Sequence, residues 1–282
     1  MQQVSSQTTR DTIITRIKEE RAGDLDEQLP VWARRSNPIV RRHLGIYWKT
    51  LPPDINPIIK LYLVQVVIIL LTVPIPFLTD AIMPVITVSV VLLPMALLLY
   101  AQVLFLVSSH SVITVTNEIR NDTLDVMRMT PYSMRELLLS KISASVWRQA
   151  ENIGLLMYAV TLLMMPILVM QYGSMWDFRE YLVEPRLAII AGMAAAIVRI
   201  VLETLMVAAM AAAVGAMVRV RNMAIIVATI PVFFYFLFIN LLRLLPLSWP
   251  LRMLVEIVLP LALPVVIIYG ALYIAERAMT GE

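Results

Sequence analysis

Arg199 and Glu203 are the clearest candidates for chemistry in this sequence, because they interrupt a long apolar stretch. They are four residues apart within residues 187–218, which are otherwise almost entirely aliphatic. On a helix this spacing places both side chains on one face. A charge within an apolar membrane segment costs about 3 kcal/mol or more unless it is paired or hydrated. We expect both residues to face protein or water rather than lipid, either as a structural ion pair or as part of a functional site.

Other common catalytic groups are poorly represented. The chain has no cysteine, which excludes disulfides, thiol catalysis and cysteine metal sites. Its histidines, His43 and His110, do not belong to a metal-binding motif, and we interpret both as interfacial. None of the eight glycines opens a phosphate-binding loop of the form GxxxxGK(S/T). We therefore do not expect an enzyme, a metal centre or ATP hydrolysis by this chain alone.

The composition indicates an all-α polytopic membrane protein. Of 282 residues, 60% are hydrophobic and only 15% are charged, whereas charged residues make up about a quarter of a typical soluble domain. Apolar runs of about 20 residues recur, the length that crosses a bilayer as a helix. The expected surroundings are a lipid bilayer, and nucleic acid is not an expected partner.

The hydropathy pattern predicts six transmembrane helices. They cover residues 58–78, 83–107, 144–170, 187–218, 223–245 and 252–275. Lysine and arginine concentrate before the first span and between the second and third, which predicts that both termini are cytoplasmic. Arg243 and Arg252, between the last two spans, weaken this pattern, and we place the neighbouring Glu256 at the membrane interface. The protein is expected to be multi-pass in the inner or plasma membrane.

The regions outside the spans divide into three parts. Residues 1–30 form a polar cytoplasmic tail, residues 31–55 an interfacial region and residues 56–282 the six-helix domain, with a cytoplasmic segment at residues 112–143. The interfacial region mixes basic and aromatic residues, as in a helix lying in the headgroup layer. A plain basic patch beside the membrane is the alternative. The interfacial residues are Trp32, Arg41, Arg42, Tyr47 and Trp48.

The cytoplasmic segment between the second and third spans has its own helical signals. Leu124 and Met127 form an apolar pair at helical spacing, flanked by charged residues. Thr130-Pro131 then breaks the pattern, since the residue before proline avoids the helical region. Ser133 and Glu136 have the spacing of a capping box, which predicts a new helix that leads into the third span.

This segment resembles the cytoplasmic coupling segment of ATP-binding-cassette (ABC) transporter permeases of the type-2 export family. Asp122 and Ser140 stand where the family commonly has glycine. Residues 37–42, NPIVRR, also resemble the start of the family's amphipathic elbow helix, with His43 where glutamate is usual. The matching positions of the coupling segment are Glu118, Thr123, Leu124, Asp125, Thr130, Pro131, Ser133, Glu136, Leu137, Leu138 and Lys141.

The resemblance implies a permease subunit, expected to be an exporter, that pairs with a second copy or a paralogue. It also implies a cytoplasmic ABC ATPase subunit that holds the ATP and magnesium, while this chain binds no cofactor. Residues 118–129 would form a coupling helix, whose apolar pair lies in a groove of the ATPase. The partner-binding residues would be Glu118, Asp122, Thr123, Leu124, Asp125, Met127, Arg128, Thr130 and Pro131.

Two other functions are compatible with the sequence. The first is a non-transporting scaffold subunit of a larger membrane complex, which Asp122 in place of glycine would favour. The second is an ion-coupled secondary carrier, which Arg199 and Glu203 would favour, although no internal repeat supports it. Small residues in the fourth span, such as Ala208 and Gly215, would form either a dimer seam or close packing within one chain.

Overall fold

The structure, a computed structural model, describes residues 26–45, 53–121, 123, 129, 131–176, 178 and 181–280. The described residues form helices and no strands, which confirms the all-α prediction. A 3-10 helix at Val31–Ala33 comes first, and a π-helical turn at Leu254–Val258 joins the last two α-helices. The α-helices are α1 (Pro38–Leu44), α2 (Asn56–Leu71), α3 (Phe77–Arg120), α4 (Met134–Trp147), α5 (Ala150–Gly173), α6 (Glu184–Met217), α7 (Arg221–Arg243), α8 (Trp249–Met253) and α9 (Leu259–Thr280).

Within the described part of the chain, five helical segments are long and apolar enough to cross a membrane. They are α3, α5, α6, α7 and the continuous segment Trp249–Thr280. This supports a multi-pass membrane protein. Helix α2, the first predicted span, is apolar but has only 16 residues. At 1.5 Å per residue it is about 24 Å long, which is less than the roughly 30 Å of a bilayer core.

Helix α2 nevertheless runs between the two ends of the bundle. Just before it begins, Pro53 lies so close to α5 that a Cβ added at Gly154 would be 2.4 Å from the Pro53 Cβ. Just after it ends, Thr72 receives hydrogen bonds from Arg186 at its hydroxyl (2.9 Å) and its carbonyl (3.3 Å). The helix therefore connects the start of α5 with the start of α6, which lie at opposite ends of the bundle.

Helix α6 packs closely against α3 through its small residues. A Cβ added at Gly215 would lie 3.1 Å from the Val112 carbonyl oxygen. Ser111 Oγ donates to the Ala208 carbonyl at 2.6 Å, and Thr116 Oγ1 donates to the Gly215 carbonyl at 3.3 Å. Of the two alternatives, the small residues in this half of α6 serve close packing within one chain.

The predicted third span, residues 144–170, is two helices rather than one. The α-helix breaks after Trp147, and Gln149 has non-helical φ and ψ of −107° and 11°. At this break, Trp147 Nε1 donates to the Ala33 carbonyl at 2.9 Å and Arg148 donates to the His43 carbonyl. The break lets both side chains hold the N-terminal region against the bundle, an interaction that hydropathy does not predict.

Helix α1 is shorter than the predicted interfacial region and packs on protein. Asn37 Oδ1 accepts from the Ile39 N–H at 2.9 Å at its start, and Gly45 ends it with a φ of +56°. Val40 and Leu44 are completely buried against α4, in a cluster with Ala144 and Trp147. The apolar face of α1 therefore covers α4, and its position relative to the membrane interface stays a prediction.

The other interfacial residues are distributed differently. Trp32 is half-buried in the 3-10 helix, and Arg41 and Arg42 are exposed on α1. Tyr47 and Trp48 lie outside the described residues. Residues 26–30, which the sequence analysis places in the polar tail, contact the chain that follows.

Candidate functional site: a polar cavity inside the bundle

A cavity of about 620 Å³ lies between α3, α5, α6, α7 and the Leu254–Val258 turn with the start of α9. This volume is in the range of small-molecule binding sites. Its wall is mostly aliphatic, but polar side chains gather on one part of it. These are Tyr100, Gln171, Tyr172, Arg199, Glu203, Asn240, Arg243 and Glu256.

Glu203 is the centre of the first polar cluster. It is completely buried, and its carboxylate forms the expected ion pair with Arg199 Nε. Tyr235 Oη donates to Glu203 Oε1 at 2.7 Å, and Tyr100 Oη donates to Oε2. Donors on α3, α6 and α7 therefore meet at one carboxylate, which compensates for its removal from water.

Glu256 is the centre of a second cluster. Arg252 Nε donates to Oε1 at 2.8 Å and Tyr172 Oη donates to Oε2 at 2.6 Å, while Gln171 Nε2 lies 3.1 Å from Oε1. The Glu256 side chain is only 6% exposed. The π-helical turn places Glu256 in the cavity wall, where α5 supplies hydrogen-bond donors, and its depth relative to the membrane interface stays a prediction.

Arg243 lies in the cavity wall with access to both clusters. It interacts electrostatically with Glu203, Glu256 and Arg199. Its Nε is buried and has no hydrogen-bond partner among the described residues. From the sequence, Arg243 is only a charge near the connection between the last two spans. Its place at the end of an apolar stretch gave no sign that α7 would direct it into a cavity.

A third charged cluster joins the two ends of the cytoplasmic segment to α1. Glu118 Oε2 contacts Lys141 Nζ, and both side chains are buried. His43 Nε2 lies 3.5 Å from Glu118 Oε1. Burial, followed by the charges of Lys141, Arg42 and Arg148, lowers the pKa of His43 from 6.5 to about 4. His43 is therefore neutral near pH 7, and Glu118 has its closer contact with Lys141.

The structure describes only part of the predicted coupling helix at residues 118–129. Glu118 belongs to the last turn of α3, and Thr123 follows that helix with its N–H and hydroxyl both donating to the Glu118 carbonyl. Met129 and Pro131 are exposed and not helical. The predicted capping box is confirmed, since Ser133 and Glu136 exchange hydrogen bonds at the start of α4. Asp122, Leu124, Asp125, Met127, Arg128 and Thr130 lie outside the described residues.

No protein-family model, curated protein or solved structure matches this chain. Among the described residues, no group of three or more His, Cys, Asp or Glu side chains is arranged to hold a metal ion.

Proposed function

We propose that this chain is the transmembrane permease subunit of an ATP-driven ABC transporter, an exporter that a separate ATPase subunit powers. The Glu118–Lys141 contact carries the proposal. It joins the first and last residues of the segment that resembles a coupling segment, and His43 of α1 lies beside it. A segment that receives force from a partner has to be fixed at its base, and a buried ion pair between two helices does this.

Helix α3 connects the Glu118–Lys141 contact, at the base of the cytoplasmic segment, to the cavity. It is continuous from Glu118 to Tyr100, whose hydroxyl donates to Glu203 in the cavity wall. The distance along the helix is about 27 Å at 1.5 Å per residue. Movement of the segment would therefore be transmitted through a single rigid element to the wall of the cavity. This is the mechanical connection that a transporter with an external motor requires.

The proposal includes six membrane crossings with both termini in the cytoplasm of the inner or plasma membrane. The sixth crossing is helix α2, which is shorter than the five long apolar helical segments. Its contacts with Gly154 at one end and Arg186 at the other support a path across the whole bundle. A short apolar helix is accommodated when the bilayer thins locally.

The motor belongs to another chain under this proposal. The sequence lacks a phosphate-binding loop, so ATP and magnesium would be held by the ATPase subunit. Leu124 and Met127 would lie in a groove of that subunit, with Asp122, Asp125 and Arg128 at its rim. A second copy of this chain, or a paralogue, would complete the transporter.

To test the proposal, the chain is purified in mild detergent from its native cells and examined for a bound ATPase. The wild-type chain is compared with the matched variants Leu124→Asp and Leu124→Met. We expect an ABC ATPase to co-purify with the wild-type chain and with Leu124→Met. Leu124→Asp should lose it, because a carboxylate cannot enter an apolar groove without several kcal/mol of desolvation. An ATPase that stays bound to Leu124→Asp, or no ATPase with the wild-type chain, would contradict the proposal.

An ion-coupled carrier is a second candidate, which Glu203 and Glu256 favour because both carboxylates lie in the cavity wall. The chain reconstituted alone into liposomes distinguishes the two functions. A carrier would move its substrate in response to an ion gradient. A permease would move it only with its ATPase and ATP present.

A further inference from the structure

We propose that the cavity binds a single-chain amphiphile whose head group carries one negative charge, and that Arg243 contacts this head group. The site is argued from the cavity alone. Only the further step, that the bound molecule is the cargo, rests on the proposed function.

The charge balance around the cavity indicates an anion. Among the described residues, the guanidinium groups of Arg199, Arg243 and Arg252 meet the carboxylates of Glu203 and Glu256. Even when both carboxyl groups are ionised, three guanidinium groups against two carboxylates leave at least one positive charge in excess. A buried charge without compensation is costly, and an anionic ligand would supply that compensation.

The hydrogen-bond pattern assigns the excess charge to Arg243. Glu203 already accepts from Arg199 and two tyrosine hydroxyls, and Glu256 accepts from Arg252, Tyr172 and Gln171. Each carboxylate therefore already has donors from three residues. Arg243 Nε, in contrast, is a buried donor without a partner among the described residues.

The rest of the cavity fits a hydrocarbon chain. Its wall is formed largely by Leu, Ile, Ala and Met side chains of α3, α5 and α6. Leu97 lines the cavity and is also 56% exposed on the apolar surface of α3. Leu97 belongs to a helix that is apolar enough to cross a membrane, so under this proposal an acyl chain would enter the cavity along this side of α3.

The polar and apolar parts are arranged in the order that an amphiphile needs. Phe236, Asn240 and Arg243 lie on successive turns of α7 and all line the cavity. Arg243 is in the last turn of α7, at the end of the bundle, whereas Phe236 lies deeper and packs edge-to-face on Tyr100 with ring centroids 6.0 Å apart. A head group at Arg243 would place its chain toward Phe236 and the aliphatic wall.

The test is equilibrium binding of radiolabelled dodecanoate to the purified chain in phosphatidylcholine nanodiscs, without ATPase or nucleotide. Dodecanol and dodecyltrimethylammonium have the same chain and differ in charge, so we expect both to compete weakly. Arg243→Gln should weaken dodecanoate binding roughly tenfold or more, since hydrogen bonds to charged groups are worth about 1.5–3 kcal/mol. Arg243→Lys keeps the charge and should retain most of the affinity.

Arg221→Gln is the matched control, because Arg221 is exposed at the opposite end of α7, and it should bind dodecanoate like the wild type. Competition by lysophosphatidylglycerol, which has one acyl chain, would identify a membrane lipid as the source of the anion, and its absence would indicate a free acid. Equal affinity for all three C12 probes, or an Arg243→Gln variant that binds like the wild type, would overturn the proposal. Neither result depends on ATPase attachment, so the two proposals fail independently.

Discussion

At the scale of single residues, this protein stabilises buried charges by bringing donors from different helices to the same carboxylate. Tyr100 of α3, Arg199 of α6 and Tyr235 of α7 meet at Glu203. Such a carboxylate is fixed in position, because hydrogen bonds from three helices replace the water that burial removes. Glu203 therefore acts as a structural junction and leaves Arg243 as the group available to a ligand.

His43 provides a prediction at the same scale. Its pKa is about 4 in the folded protein and 6.5 in the unfolded chain, so the unfolded state binds more protons between these values. The stabilisation is complete above pH 6.5 and is lost as the pH falls toward 4. Between pH 7 and pH 5 the wild-type protein should lose about 1 to 2 kcal/mol more stability than His43→Gln.

Denaturant titration of both proteins in the same detergent at each pH measures this difference. Residues other than His43, including His110, titrate in both proteins and cancel in the comparison. The groups near His43 are Arg42, Lys141, Arg148 and Glu118, and Glu118 is in closer contact with Lys141 than with His43. Identical pH dependence of the two proteins would show that His43 does not titrate as described.

At the scale of helices, the contact between α3 and α6 determines the shape of the bundle. Ser111 and Thr116 of α3 donate to backbone carbonyls of α6, which is possible only where α6 lacks large side chains. The same two helices carry Tyr100 and Glu203 at the cavity. Their close approach therefore sets the geometry of the polar cluster.

Gly215 tests this contact, and Gly270 of α9 is its matched control. A Cβ at position 215 would lie 3.1 Å from the Val112 carbonyl oxygen, which belongs to the backbone and cannot rotate away. A Cβ at position 270 would meet no atom within 4 Å. Gly215→Ala should lower the free energy of unfolding by about 1 to 3 kcal/mol. Gly270→Ala should leave it unchanged or raise it by up to about 1 kcal/mol.

Thermal unfolding of the two variants in detergent gives the comparison, since both exchange glycine for alanine within a helix. If the two variants have the same stability, close packing at Gly215 does not hold α3 and α6 together.

At the scale of the whole molecule, the number of membrane crossings depends on α2. Ile55 immediately precedes α2 and Ile75 follows it. If α2 crosses the membrane, these two residues lie on opposite sides of it. The chain has no cysteine, so single cysteines can be introduced without a background. Both isoleucines are about half exposed, which makes them suitable for labelling.

We expect Ile55→Cys to be labelled from the cytoplasmic side, together with Thr123→Cys. Ile75→Cys should be labelled from the opposite side, together with Ser174→Cys beyond the end of α5. A membrane-impermeant maleimide applied to intact cells and to inverted vesicles gives the result. Labelling of Ile55→Cys and Ile75→Cys from the same side would mean that α2 does not cross.

The sequence by itself determined the properties that depend on neighbouring residues. The long apolar runs specified an all-α membrane protein, the spacing of Arg199 and Glu203 specified their ion pair, and Ser133 with Glu136 specified the start of α4. Helical periodicity and capping act over three or four residues, so they can be read without a structure. Helix lengths were predicted less well from hydropathy. Helix α2 is shorter than its predicted span, and α3 is longer.

Only the tertiary structure decided which side chains meet across helices. Tyr172 and Glu256 are 84 positions apart, and no spacing rule relates them. The rotation of each helix about its axis is set by the fit of its side chains against several neighbours at once. That fit turned Glu256 and Arg243 into the cavity and the apolar face of α1 onto α4. The polar cavity therefore exists because of packing, and the sequence alone did not show that its charged residues line one cavity.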